Sequence, residues 1–203
     1  GKPILDENGN KQTTARPGDI RYKDVNGDGK IDADDRIRST KNTEPRFVAG
    51  LTLNASWKNF DIMMLFQGAF GGETYIWRER AGEAGNFYKT TFDKRWTPEN
   101  PSDKYPRIYN RENEYWAKPY DNDGRNTYFL YNTDYVRLKN IELGYTFNFP
   151  KVKNAGISNL RVYVNATNLF TIDGVKVQDP EATDTGKQYP QRRVMNFGAS
   201  ITF

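Results

Sequence analysis

From Arg193 to Phe203 the chain alternates without a break. Met195, Phe197, Ala199, Ile201 and Phe203 fall on one side of an extended strand, and Val194, Asn196, Gly198, Ser200 and Thr202 on the other, because successive strand side chains point to opposite faces. The first side is apolar and uncharged. The second is small and mostly polar. About ten residues of apolar-out, polar-in alternation is what a transmembrane β-barrel strand requires. The edge strand of a soluble sandwich alternates in the same way, so the rest of the chain must separate the two.

What is missing removes most enzyme designs. The 203 residues include no cysteine and no histidine. A disulfide framework, thiolate catalysis, Ser-His and Cys-His nucleophiles, histidine bases and Cys- or His-ligated transition metals are therefore excluded for this chain. The net charge of +4 is modest, and its Lys and Arg residues are scattered. A nucleic-acid surface needs them clustered, so no nucleic-acid partner is expected. There is no initiator Met, signal peptide or apolar run long enough for a membrane helix, and the chain is expected to be processed or to be a piece of something longer.

Gly1 to Arg21 is rich in Gly, Asn, Thr and Lys without a period and reads as loop. Asp24-Val-Asn-Gly-Asp-Gly-Lys-Ile-Asp-Ala-Asp-Asp35 follows. Oxygen side chains occupy loop positions 1, 3, 5, 9 and 12, with glycine at position 6 where a calcium loop turns sharply. By that spacing Asp24, Asn26 and Asp28 offer side-chain oxygens, Lys30 its carbonyl, Asp32 a water-mediated contact and Asp35 the closing carboxylate. Asp at position 12 is shorter than the usual Glu and weakens the closure. The same residues also make an Asx-rich turn that needs no ion. With no second copy and no flanking amphipathic helices, the expectation is one structural Ca2+ pinning a loop.

Strands begin at Pro45. Phe47 to Trp57 and Phe60 to Phe70 alternate on either side of a two-residue Lys58-Asn59 turn and form a tight hairpin. Tyr135 to Phe149 is the next strand. Ile141, Leu143, Tyr145, Phe147 and Phe149 share one parity there, while Val136 and Leu138 have the other, so a bulge is expected near Lys139-Asn140. Leu160 to Phe170 is a fourth strand and the C-terminal stretch a fifth. Between the second and third lies Gly71 to Asn132, polar and dense in aromatic residues, with a short helix expected near Phe87 to Arg95. Tyr75, Trp77, Trp96, Tyr115 and Trp116 are its candidate rings for stacking on a solute or docking a partner. They serve equally well to pack the loop against itself.

If the five strands run antiparallel, the short links Lys58-Asn59 and 150–159 lie at one end and the long connections 71–132 and 171–190 at the other. Trp57, Phe60, Phe147, Phe149 and Phe203 gather at the short-link end, where an interfacial aromatic girdle belongs. Five strands cannot close a barrel, since the smallest need about eight. The fold class expected is all-β: antiparallel C-terminal strands of a larger transmembrane barrel with long extracellular loops.

Five further stretches carry a resemblance. Pro17-Gly-Asp-Ile-Arg-Tyr22 running on into the calcium-like loop to Asp32, Phe60-Asp-Ile-Met-Met-Leu-Phe-Gln-Gly68, Arg95-Trp-Thr-Pro-Glu-Asn-Pro101, Tyr135-Val-Arg-Leu-Lys-Asn-Ile-Glu-Leu-Gly-Tyr145 and Asn165-Ala-Thr-Asn-Leu-Phe170 resemble the C-terminal region of the SusC/RagA family of TonB-dependent outer-membrane transporters of Bacteroidota. The resemblance implies a 22-stranded barrel with an N-terminal plug, a SusD-like surface lipoprotein as lid, and import of oligosaccharide or peptide energised by the TonB complex through that plug. The plug and TonB box are absent from this chain. Residues 1–44 become an extracellular loop carrying the calcium-like motif, residues 45–203 the last five strands, and Phe203 resembles the signal read by the barrel-assembly machinery. No catalytic residue is expected. A secreted calcium-stabilised β-sandwich binding carbohydrate through Trp77, Trp96 or Trp116 is the alternative, and a glycosidase using Glu73, Glu79 or Glu83 a third reading.

Overall fold

In the computed structural model, residues 17–29, 32–76, 89–108, 126–149, 156–182 and 191–203 are described. Two compact units divide the chain, one of Gly1–Thr40 with Tyr75–Tyr131, the other of Lys41–Thr74 with Asn132–Phe203.

The second unit holds a five-stranded antiparallel sheet. β1 (Phe47–Trp57), β2 (Phe60–Phe70), β5 (Tyr135–Asn148), β6 (Asn159–Asp173) and β7 (Val194–Thr202) lie side by side in chain order. The short β3 (Glu73–Tyr75) and β4 (Leu130–Asn132) form a separate two-stranded sheet. Trp57 pairs with Phe60, so Lys58 and Asn59 alone make the turn, and Lys58 takes φ 53° to do so. β6 continues past Phe170 through Thr171 to Asp173. Among the described residues one α-helix, α1 (Lys89–Lys94), falls within the stretch where a short helix is expected. Among the described residues no helix is long and apolar enough to cross a membrane, which has no bearing on strands.

The bulge expected in β5 is present. Asn140 pairs with Leu65 and Leu138 with Phe66, so Lys139 is skipped, and the register against β6 also shifts there, Asn168 and Leu169 lying unpaired opposite Lys139. The inserted residue flips the parity of what precedes it. Val136 and Leu138 thereby join Ile141 and Leu143 on one face.

That face then runs unbroken across the sheet. Following the register, Leu53 is beside Met64, Met64 beside Ile141, Ile141 beside Ala166 and Ala166 beside Met195. The neighbouring row is Ala55, Ile62, Leu143, Val164 and Phe197. No charged residue interrupts either row. These side chains do not meet in a closed core, for Met195 is 62% exposed and Phe197 85%. An uncovered apolar face of this extent is far larger than the isolated apolar residues a water-soluble surface tolerates.

In the first unit one glycine meets an aromatic ring. Gly18 has φ +87°, and a Cβ there would stand 2.6 Å from the Trp96 ring. The ring thus lies directly on bare backbone. Arg107 N–H donates to the Gly18 carbonyl at 2.8 Å, and Arg107 Nε donates to Asp19 Oδ1 at 2.5 Å. Two segments far apart in sequence, 17–22 and 95–107, are locked together by these contacts.

Candidate functional site

The face of the sheet opposite the apolar one carries its charge. Arg161 on β6 donates from Nε to Asp61 Oδ1 at 3.1 Å and from Nη2 to Asp61 Oδ2 at 2.5 Å and Glu142 Oε1 at 2.7 Å. Asn165 Nδ2 donates to Glu142 Oε2 at 3.5 Å, and Asn196 Nδ2 donates to Asn165 Oδ1 at 2.9 Å. One polar chain of contacts therefore joins β2, β5, β6 and β7. All these groups remain partly open to solvent, so each pair contributes little to stability by itself, typically about 0–1 kcal/mol. Their consequence is chemical: one surface of the sheet is wettable and hydrogen-bonding, while the other is not.

Nearer the long-connection end the polarity is buried. Arg137, only 1% exposed, donates from Nη2 to both Asp179 carboxylate oxygens at 2.9 Å, from Nη1 to Glu181 Oε2 at 2.7 Å and from Nε to Thr171 Oγ1 at 3.0 Å. Glu181 also accepts from Tyr135 Oη at 2.6 Å, Gln67 Nε2 at 3.2 Å and Gln191 Nε2 at 2.7 Å. Burial works to raise the Glu181 pKa, but the Tyr135 hydroxyl, the charges of Arg137 and Lys139 and the Gln191 amide outweigh it and hold the carboxyl below its ordinary value. Removing one partner from a buried charged cluster costs about 3–5 kcal/mol, since the other charge stays behind unpaired.

The Asp24–Asp35 motif closes on itself. Asp35 Oδ1 accepts from Val25 N–H at 2.6 Å and Oδ2 from Asp32 N–H at 2.8 Å, which brings position 12 back to position 2. Asp24 accepts from Gly27 N–H at 2.6 Å and Gly29 N–H at 2.8 Å, and Asn26 Oδ1 accepts from Asp28 N–H at 3.0 Å. Asp32 caps a one-turn 3-10 helix, Ala33–Asp35. Burial would raise the Asp35 pKa, yet the N–H groups of Val25, Asp32 and Asn26 bring it below the usual aspartate value. Lys30 lies outside the described residues. Among the described residues no three acidic side chains are gathered closely enough to hold a metal ion, and the loop's own amides satisfy its oxygens. Donor chemistry and loop closure fit a hard cation, whereas convergence of carboxylates is lacking.

Of the aromatic candidates, Trp96 is half-buried on Gly18, and its backbone N–H donates to the Tyr105 and Pro106 carbonyls at 3.2 and 3.3 Å. Tyr75 packs edge-on against Phe129, with ring centroids 6.3 Å apart. Both rings are engaged in packing the first unit. Trp77, Tyr115 and Trp116 lie outside the described residues. At the short-link end Phe60, Tyr145, Phe147 and Phe149 follow one another at 4.7, 4.7 and 6.2 Å. Phe203 is 83% exposed just beyond Thr202, whose carbonyl accepts from Ser158 N–H at 2.8 Å.

Sequence reasoning missed the Arg137 cluster. A charged residue between Val136 and Leu138 in a strand with one lipid-like face was the available signal, because such a residue must point inward and find acceptors there.

Comparison with known proteins places this geometry. No family model matches the chain. TonB-dependent receptor P26 of Formosa agariphila is 30% identical over 204 residues, covering 92% of this chain and 20% of the relative. TonB-dependent receptor SusC of Bacteroides thetaiotaomicron is 27% identical over 203 residues, covering 98% of this chain and 18% of the relative. Among solved structures, the RagAB peptide transporter superposes with TM-score 0.59 at 26% identity, over 80% of this chain and 17% of that one. The RagAB peptide importer in the closed-closed state gives 0.58, over 96% and 20%. This antiparallel sheet, apolar on one side and polar on the other, therefore matches the β-barrel of TonB-dependent outer-membrane transporters. Within that class the chain fits a fragment of the SusC/RagA family. Its relatives are receptors and not enzymes, and it spans about a fifth of the length of the curated relatives it matches.

Proposed function

We propose that this chain supplies wall strands and connecting loops to a TonB-dependent outer-membrane importer that takes up oligosaccharides or peptides together with a SusD-like surface lipoprotein, energy entering through a plug carried elsewhere in the receptor. The observation that carries the reading is the uncharged row from Leu53 through Met64, Ile141 and Ala166 to Met195. Hydrocarbon is the solvent such a row requires, and the ion pairs on the opposite face need water or protein. On this reading the aromatic row Phe60 to Phe149 sits at the inner interface, the connections 71–134 and 174–193 extend outside the cell, and Phe203 serves barrel assembly.

The RagAB likeness favours peptide as the imported solute, while the SusC relative leaves oligosaccharide open. Calcium at Asp24, Asn26, Asp28, Lys30, Asp32 and Asp35 belongs to the same proposal, with the role of stiffening an external loop.

Growth tests the reading. Deletion of the gene for the full-length receptor should abolish TonB-dependent growth on one class, defined oligosaccharides or defined peptides, and the tagged receptor should copurify in detergent with a surface lipoprotein. Unchanged uptake of both classes, or recovery of the receptor as a water-soluble protein, would end it.

A further inference from the structure

Beyond β6 the chain does not swing free. Gly174 N–H donates to the Asp134 carbonyl at 3.1 Å, and a Cβ on Gly174 would stand 2.7 Å from the Asn132 carbonyl oxygen. The turn therefore runs hard against backbone. Lys176 adopts φ 60° with its N–H on Asp173 Oδ1 at 2.5 Å, Glu181 N–H donates to Asp179 Oδ1 at 2.9 Å, and Ala182 N–H donates to the Asp179 carbonyl at 3.0 Å. Val175 and Ala182 are buried.

We infer that residues 174–182 form a fixed ledge latched to the inner wall by Arg137, occupying room on the passage side of the sheet. Two carboxylates eight or fewer residues beyond the turn converge on a single guanidinium of β5, and Glu181 additionally ties in Gln67 of β2 and Gln191 ahead of β7. An arginine on the open inner face would be hydrated and would need no such partners. The ledge itself buries Arg137, and the carboxylates it brings are what make that burial tolerable. The role in narrowing the passage rests on the import reading; the latch does not.

The test uses the full-length receptor. In Asp179→Ala/Glu181→Ala the strand keeps Arg137, which water reaches once the ledge lifts. Arg137→Lys keeps a charge but loses the bidentate geometry. Hydrogen exchange across 174–182 should quicken about tenfold or more in the double variant, less in Arg137→Lys, with 160–170 unaltered in both. In cells, uptake of longer solutes should rise relative to shorter ones. Unaltered exchange in both variants overturns the latch, and faster exchange with an unaltered size preference overturns the ledge. If the wild-type receptor takes up neither solute class while exchange responds as stated, the latch holds and the import reading falls.

Discussion

Arg161 on β6 reaches across Gly144 of β5 to Asp61 on β2, its Nη2 donating to Asp61 Oδ2 at 2.5 Å. A Cβ on Gly144 would stand 2.6 Å from Asp61 Oδ1, so the glycine leaves the lane through which the pair crosses a whole strand. Both groups are the flexible ends of half-exposed side chains. Gly144→Ala is therefore expected to displace the pair at a cost of about 1 kcal/mol or less, and Gly144→Leu to cost about 1–3 kcal/mol by overpacking. The temperature at which the folded receptor band disappears on an unheated gel reports the order. Equal loss in the two variants would refute the account of this glycine.

Gly18 is a different case. Its φ of +87° excludes ordinary side chains, and the Trp96 ring leaves no space. Gly18→Ala should cost about 1–3 kcal/mol from backbone strain alone, shift Trp96 toward solvent, and expose 95–108 to protease while leaving the five strands intact. Unchanged tryptophan emission in a Trp96-only background would contradict the stacking.

Much of this was legible beforehand, for a physical reason. Strand parity is a local property, so the break in it after Val136 and Leu138 predicts a bulge near Lys139-Asn140, where the register shifts. Asp35 of the Asp24 loop bonds back to Val25 N–H, a closure that the calcium-loop spacing and an ion-free turn share. The Arg137 cluster was not legible because its acceptors sit 42 and 44 residues away in an irregular segment, where no period marks them. For Trp96 the sequence leaves stacking on a solute and packing of the loop equally open, since an aromatic residue in a polar loop looks alike whether it meets a ligand or a glycine 78 positions earlier.

Acid should loosen the loops before the sheet. Asp35 has a folded pKa below its ordinary value, as does Asp134, where burial is outweighed by the Asn132 amide, the N–H groups of Gly71 and Gly72 and the charge of Lys41. A depressed carboxylate contributes stability above the unfolded value, about 3.9, and loses it as pH falls through the folded one. Opening at 24–35 and 71–72, read as exchange corrected for its intrinsic pH dependence, should thus be flat from neutral pH to about 5 and rise only below the unfolded value. In Asp35→Asn the contribution of that side chain is absent at every pH. A rise centred near neutrality would contradict the assignment.

Calcium has its own measurement. Chelation should speed protease cleavage within Tyr22 to Ile37 of the full-length receptor and leave the strands folded, and Asp24→Ala should mimic it. Cleavage unaffected by chelator would show that the amide-satisfied turn needs no ion.

The central claim, that lipid covers one side of this sheet, is tested most directly by spin labels placed singly at Leu53, Ile141, Val164 and Phe197, and at Thr52, Glu142, Asn165 and Asn196, in the full-length receptor in bilayers. The account predicts high accessibility to oxygen and low accessibility to a water-soluble nickel reagent at the first four, and markedly lower oxygen accessibility at the second four. Labels at Leu53 and Phe197 reached by the nickel reagent, or shielded from oxygen as in a protein core, would contradict it.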